Sequence, residues 1–342
     1  MSLSSSLGNA GTPSLRTLPC RPVLLIAAAL GMAGLVPLGL DPQGYTLRVL
    51  TLTLLFAAMA QSWNIVGGLA NQISLGHAGF FGIGAYTSTI LLRDLGVSPW
   101  LGMIAGMGLA GLAAAILSVP TFRLKGHYFA LVTLAFGEVM RVIANSWSSV
   151  TGGPVGISVP FAPNSLWMFQ YNTVRPYYYV SLIALVLVSV VFWRIKTGAL
   201  GYRLRAIKEN PDAAEVIGID TYRAKLMAGL VSAVLTAALG TVYAQFSYFF
   251  DPDTIFGVAS ISVRMALIAI VGGVSLTFGP IVGAFFIIPL EEISNAALAG
   301  RAAGLSAFVY GALLIAIILV KPQGLLALFG DLYKRLRKES SR

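Results

Sequence analysis

Residues 49–92 read VLTLTLLFAAMAQSWNIVGGLANQISLGHAGFFGIGAYTSTILL, without one Asp, Glu, Lys or Arg. A bilayer core of ~30 Å is crossed by about 20 mainly apolar helical residues, so this stretch has the length of two crossings. Gly67-Gly68, Asn71, Gln72 and Gly76 lie near its middle, where turn-forming and polar residues interrupt a helix. It therefore reads as two membrane helices around a break.

On either side of it, residues 22–40, 95–122, 176–193, 226–250, 265–290 and 302–320 are also free of formal charge. The 265–290 stretch holds Gly272-Gly273 and Gly279-Pro280 and is cut in two in the same way. Residues 126–144 are apolar apart from Glu138 and Arg141, and make another segment. Residues 142–174 carry Gly152-Gly153-Pro154, Pro160, Pro163 and Asn164, which make a loop rather than a span. The expected fold is an all-α integral membrane protein, a polytopic helical bundle of about ten transmembrane segments, some short or re-entrant. Its expected organisation is a tail at 1–22, a transmembrane domain at 23–320 and a basic tail at 321–342.

Composition agrees. Of 342 residues, 57% are hydrophobic and only 11% charged, against roughly 25% charged in a soluble domain. That excludes a water-soluble globular enzyme. Cys20 is the one cysteine, so an internal disulfide is excluded, and no Cys/His set has metal-ligand spacing. No metal site is expected. The net charge of +10 would suggest nucleic acid in a soluble protein, but in a membrane protein it marks the cytoplasmic ends of spans; no nucleic-acid partner is expected. With a cytoplasmic N-terminus, one side receives Arg16, Arg21, Arg123, Lys125, seven basic residues of 194–225 and six of 321–342. These are 17 of the 23 Lys and Arg. Ten spans with both termini cytoplasmic satisfy that parity. Arg16 and Arg21 ahead of 22–40 resemble a signal peptide superficially, but the nine segments that follow favour a retained first helix. Arg264 is expected to open its span at the outer interface.

The 194–225 loop is the most charged part of the chain. Within it, residues 210–217 read as a short helix: Pro211 opens it, Asp212 suits the positive end of the dipole and Gly218 ends it. From charge alone the loop is either a docking piece for a cytoplasmic partner or a solvated, topology-setting segment. Its residues, LRAIKENPDAAEVIGI at 204–219, strongly resemble the coupling loop of ABC-importer permeases of the branched-chain amino-acid family. Asp212-Ala213-Ala214 stands where many importers have Glu-Ala-Ala, and the change keeps the charge. The Gly-rich 67–86 stretch resembles the M-type subunit of these permeases, and Val271-Gly272-Gly273 with 278–284 agrees.

What the resemblance implies is a transport subunit, not an enzyme, with no catalytic residues. Arg205, Glu209, Asp212, Ala213, Ala214 and Gly218 would form the ATPase-coupling loop. The partners would be a second, H-type permease subunit, two cytoplasmic ATP-binding subunits and a periplasmic solute-binding protein, in the lipid bilayer of a bacterial inner membrane. ATP and Mg would be handled by those partners, with no cofactor bound by this chain; the sequence has no G-x-x-x-x-G-K-[ST] to cradle phosphates. The implied cargo is Leu, Ile and Val, with urea or other amides as an alternative within the family. An ion-coupled secondary amino-acid transporter would share the spans, and a membrane-embedded enzyme has no nucleophile-base set to support it.

Candidates for the translocation path are Asn71, Gln72, Ser74 and His77, at the edge of the Gly-rich break, with Glu138 and Arg141. Amides and free backbone groups there suit the charged ends of an amino acid; His77 also reads as a packed or capping group. Glu138 and Arg141 are three apart on one helix, so they either line the path or neutralise each other. Ile-Val-Gly-Gly occurs at 65–68 and 270–273, each followed by Ser-Leu, which reads as an internal duplication or a coincidence of a Gly/Leu-rich alphabet. The 146–175 loop is the expected landing place for the solute-binding protein.

Overall fold

The computed structural model describes residues 28, 30–121, 126–161, 164–298, 308, 311, 312, 315 and 324–326. The expected tail at 1–22, Arg123, Lys125, most of the expected 302–320 span and the basic positions of the 321–342 tail lie outside the described residues. The chain divides into two units, Met1–Asp41 and Pro42–Arg342. In the first, residues 30–35 are helical and Val36–Leu38 form a 3-10 turn, closed by the Gly39 N–H on the Val36 carbonyl at 3.3 Å.

The second unit is a helical bundle. The helices whose bounds fall among the described residues are α1 (Tyr45–Asn64), α2 (His77–Leu95), α3 (Pro99–Thr121), α4 (His127–Ser146), α5 (Ser148–Thr151), α6 (Val174–Thr197), α7 (Ala199–Glu209), α8 (Pro211–Val216), α9 (Thr221–Ser247), α10 (Pro252–Ile255), α11 (Arg264–Gly272) and α12 (Gly279–Leu298). Among the described residues, six helical runs are long and apolar enough to cross a membrane: Tyr45–Leu69, Pro99–Thr121, His127–Ser146, Val174–Thr197, Thr221–Ser247 and Pro252–Gly272. The 49–92 stretch is two helices around a break, and 265–290 belongs to a hairpin of α11 and α12. The 146–175 loop holds a two-residue strand, β1 (Ile157–Ser158), paired antiparallel with β2 (Phe249–Phe250).

Burial in α3 shows how such a chain packs. Gly102, Gly106, Ala110, Ala114 and Ser118 recur every fourth residue and are buried, whereas Leu101, Ile104, Leu109, Leu112, Ile116 and Val119 are exposed. Large apolar groups outside and small ones inside is the arrangement expected where lipid is the solvent. Small residues bring backbones together. A Cβ on Gly84 would run into the Ala237 carbonyl oxygen, and a Cβ on Gly106 would lie 3.1 Å from Gly84 Cα. So α2 is clasped between α3 and α9, and the Thr241 hydroxyl donates to the Gly84 carbonyl at 3.0 Å.

One expectation is corrected. Arg264 does not open a span; a π-turn at Val258–Val263 leads into α11, and the run Pro252–Gly272 passes through it. Its guanidinium lies over the Phe56 ring, 4.8 Å from the centroid, and pairs with Glu291 of α12. A charge ends an apolar stretch on paper, yet a carboxylate on the facing helix lets it lie within one.

Candidate functional site

After Asn64 the α1 helix widens into a π-turn at Ile65–Leu69, a geometry that often marks functional positions. The chain then reverses. Trp63 Nε1–H donates to the Ser74 carbonyl at 2.8 Å, which draws the returning segment back alongside α1. Helix α2 therefore begins at a level with Ser232 of α9 rather than at the bundle's end. Ser232 is eleven residues past Thr221, or about 16 Å along the helix at ~1.5 Å per residue. The segment 70–76 folds back beside α1, and the N-terminus of α2 lies inside the bundle.

Amides at such a terminus lack partners within the helix, and here other elements supply them. The Ala78 N–H donates to Ser262 Oγ at 2.8 Å, from the second π-turn. The Leu75 N–H donates to Thr133 Oγ1 at 3.0 Å, from α4. His77 is 2% exposed and lies 2.9 Å from Ser74 Oγ through Nδ1 and 2.8 Å from Ser232 Oγ through Nε2. The Ser232 hydroxyl donates its single proton to the Ser62 carbonyl at 2.7 Å. Nε2–H must therefore donate to Ser232, and the Ser74 hydroxyl donates to Nδ1. A cavity of ≈ 30 Å³ lined by Ser74, His77 and Thr133 adjoins this chain of hydrogen bonds, about the room one water needs.

The second break meets the first. Beyond Gly273, at φ +125°, Ser275 turns with φ +66°. Its N–H donates to Asn64 Oδ1 at 2.9 Å, and its hydroxyl to the Gly68 carbonyl at 2.6 Å. Asn64 Nδ2 donates in turn to the Leu276 carbonyl at 3.2 Å.

Of the path candidates, the structure brings Ser74 and His77 together. Asn71 is exposed, with φ +53°, while Gln72 is buried and its Oε1 has no partner among the described residues. Glu138 and Arg141 do not join them. They pair at 2.9 Å, and Arg141 also holds Asp253 at 2.7 Å, beside Asn145. Ser62, Thr133, Ser232 and Ser262 were not singled out by the sequence. A hydroxyl in an apolar helix leaves no sequence signal, because it is satisfied equally well by its own helix, as Thr51 is on the Leu47 carbonyl. Asn64, an amide three residues ahead of Gly67-Gly68, did carry a readable signal.

In the 194–225 loop, Asn210 Oδ1 accepts from the Asp212 and Ala213 N–H groups and caps α8, with Pro211 in the first turn. Ala214 is buried in one apolar cluster with Ile65, Val66, Leu69, Leu204 and Ile207. Glu209, Asp212, Ala213 and Gly218 are exposed, and Gly218 takes φ +85° just past α8. Val216 and Ile217 are 87% and 73% exposed. Arg205 braces the corner between α6 and α7, donating to the Lys196 carbonyl at 3.0 Å with its guanidinium over the Tyr202 ring.

Residues 45–318 match the family described as branched-chain amino acid transport system / permease component. The chain belongs to this family. It is 30% identical over 304 residues to the high-affinity branched-chain amino acid transport system permease protein LivM of Escherichia coli K12, covering 82% of this chain and 70% of that one. With LivH of the same organism it shares 24% over 292 residues, 81% of this chain and 92% of that one. With the nucleoside ABC transporter permease protein NupC of Lactococcus lactis it shares 25% over 242 residues, 64% and 74%. In this permease, then, the broken helices and the capped α8 are parts of a multi-pass membrane transport component.

Proposed function

We propose that this chain is the membrane-spanning permease subunit of an ATP-binding-cassette importer for leucine, isoleucine and valine in a bacterial inner membrane. It works beside a second, H-type permease subunit and binds no cofactor itself. Two cytoplasmic ATP-binding subunits hydrolyse ATP and push on α8 through Val216 and Ile217, with Arg205, Glu209, Asp212, Ala213, Ala214 and Gly218 shaping that contact. A periplasmic solute-binding protein delivers cargo at the opposite face, where the 146–175 loop and β2 meet. Both termini are cytoplasmic. The observation that carries this reading is the family match over residues 45–318. The exposed pair Val216 and Ile217, at the C-terminal end of a helix anchored by Ala214, supports the docking role. The helix break at 70–76 supports a path beside Asn71, Gln72, Ser74 and His77, since discontinuous helices commonly line transport sites.

The test is co-purification with the ATP-binding subunits, then uptake by vesicles containing the whole complex. Wild type is expected to carry subunits that V216D/I217D loses, and to import leucine in preference to urea or a nucleoside. Absence of any ATP-binding partner would sink the importer reading. Preferred uptake of a nucleoside would move the substrate toward that of the NupC relative.

A further inference from the structure

We propose that Lys196 and Lys208 latch the 194–225 loop onto the Ser275 turn, so that displacing the loop moves both helix breaks as one body. The transport consequence rests on the importer reading above; the latch itself does not. Lys196, in the last turn of α6, donates through Nζ to the Ser275 carbonyl at 2.8 Å. Lys208, in the last turn of α7, donates to Ser275 Oγ at 3.1 Å and to the Gly68 carbonyl at 3.2 Å. Neither ammonium has a carboxylate partner among the described residues. Both are half-buried, whereas Arg194, Arg203 and Arg223 of the same loop are exposed. A charge that only sets topology needs a place in solvent at a span end; these two are instead directed to carbonyls and a hydroxyl inside the fold.

The acceptors explain the choice. Gly68 lies where the α1 run ends and carbonyls have no following N–H, at the negative end of the helix dipole. Its oxygen takes the Ser275 hydroxyl and the Lys208 ammonium instead. Ser275 commits its N–H, its hydroxyl and its carbonyl to three residues, Asn64, Gly68 and Lys196, which holds a non-glycine residue at φ +66°. A Cβ on Gly68 would lie 2.9 Å from the Ser275 nitrogen, so the two turns touch through backbone. On the apolar side, Leu204, Ile207 and Ala214 share a cluster with Ile65, Val66 and Leu69. The loop thus grips the first break through side-chain packing and joins the second to it through two cations.

Hydrogen exchange on the full-length protein in detergent tests the latch. In K196M/K208M, exchange should quicken about tenfold in both 64–69 and 273–278, while the α2–α9 contact at 81–91 and 237–245 keeps its protection. K208R, which keeps a cation there, should hold most of it. Unchanged exchange in either break, or equal loss through the whole chain, overturns the latch. Should the double variant fail to fold, S275A decides: it must loosen 64–69 as well as 273–278, and a change in 273–278 alone overturns the proposal. In vesicles with the complete complex, leucine imported per ATP should fall about fivefold in K196M/K208M as hydrolysis continues without its mechanical output. An unaltered ratio would remove the latch from the transport cycle. Wild-type vesicles without ATP-driven uptake would defeat the importer reading and leave the latch to be decided by hydrogen exchange.

Discussion

Ile65-Val66-Gly67-Gly68 and Ile270-Val271-Gly272-Gly273 are the same four residues, and each stops a helix in a different way. At the first, the helix widens beneath Trp63 and Asn64, and the chain climbs back through 70–76 before α2 starts inside the bundle. At the second, Gly273 turns at φ +125° and α12 starts at Gly279, crossing so closely that a Cβ on Gly272 would run into the Gly279 carbonyl oxygen. The serines that follow diverge too. Ser74 bonds to His77 in the helix it precedes, while Ser275 reaches across to Asn64, Gly68 and Lys196. What differs is the residue ahead of the glycines. Trp63 carries a donor that holds the returning chain at Ser74, and Ile268, in the matching place before the second pair of glycines, carries none.

Substitutions at and around the two breaks put that contrast at risk. The largest effect is expected at Gly272. Gly272→Ala drives a methyl into backbone and should cost about 3 kcal/mol, against ~1–2 kcal/mol for Gly67→Ala, where the obstacle is the Trp63 ring. Thermal unfolding in detergent ranks the two, and the reverse order would make the first break the rigid one. His77→Ala comes next, at about 2.5 kcal/mol, because it leaves the Ser74 hydroxyl without its acceptor, takes a donor from Ser232 and opens a cavity. Exchange should quicken at 70–80 and not at 273–278; a response in both would mean that the breaks share one support. Trp63→Phe keeps the packing and removes one N–H from the Ser74 carbonyl, for about 1 kcal/mol, again confined to 70–76 by exchange. The smallest effect belongs to Arg141→Gln. Its ion pairs with Glu138 and Asp253 are 36–64% exposed, so a loss of no more than ~0.5 kcal/mol is expected. Vesicle uptake should stay at the wild-type level, and a large fall would return Glu138 and Arg141 to the path.

Much of this was legible from the chain alone, for identifiable reasons. The absence of charge over 49–92 and 265–290 locates helices because bare peptide groups and charges are excluded from hydrocarbon. Pro211, Asp212 and Gly218 locate α8 because the chemistry of helix ends is local. Glu138 and Arg141 pair because residues three apart share a helix face. The third member of that cluster, Asp253, was not foreseeable, since it comes from a different element. Arg264 misled for a related reason: its partner Glu291 is on α12, and no local pattern announces it.

Composition and residue order are enough to place this protein in a bilayer, to find where its helices break, to relate it to a family and to pick out the loop with the short capped helix. Those properties depend on composition and on neighbours within a turn or two. Folding in three dimensions is what makes Asn64 and Ser275 meet, starts α2 beside Ser232, and turns Lys196 and Lys208 inward while Arg194, Arg203 and Arg223 face out. A hydrogen bond between residues 211 apart leaves no periodicity, and a lysine satisfied by a carbonyl has the same sequence as one satisfied by water.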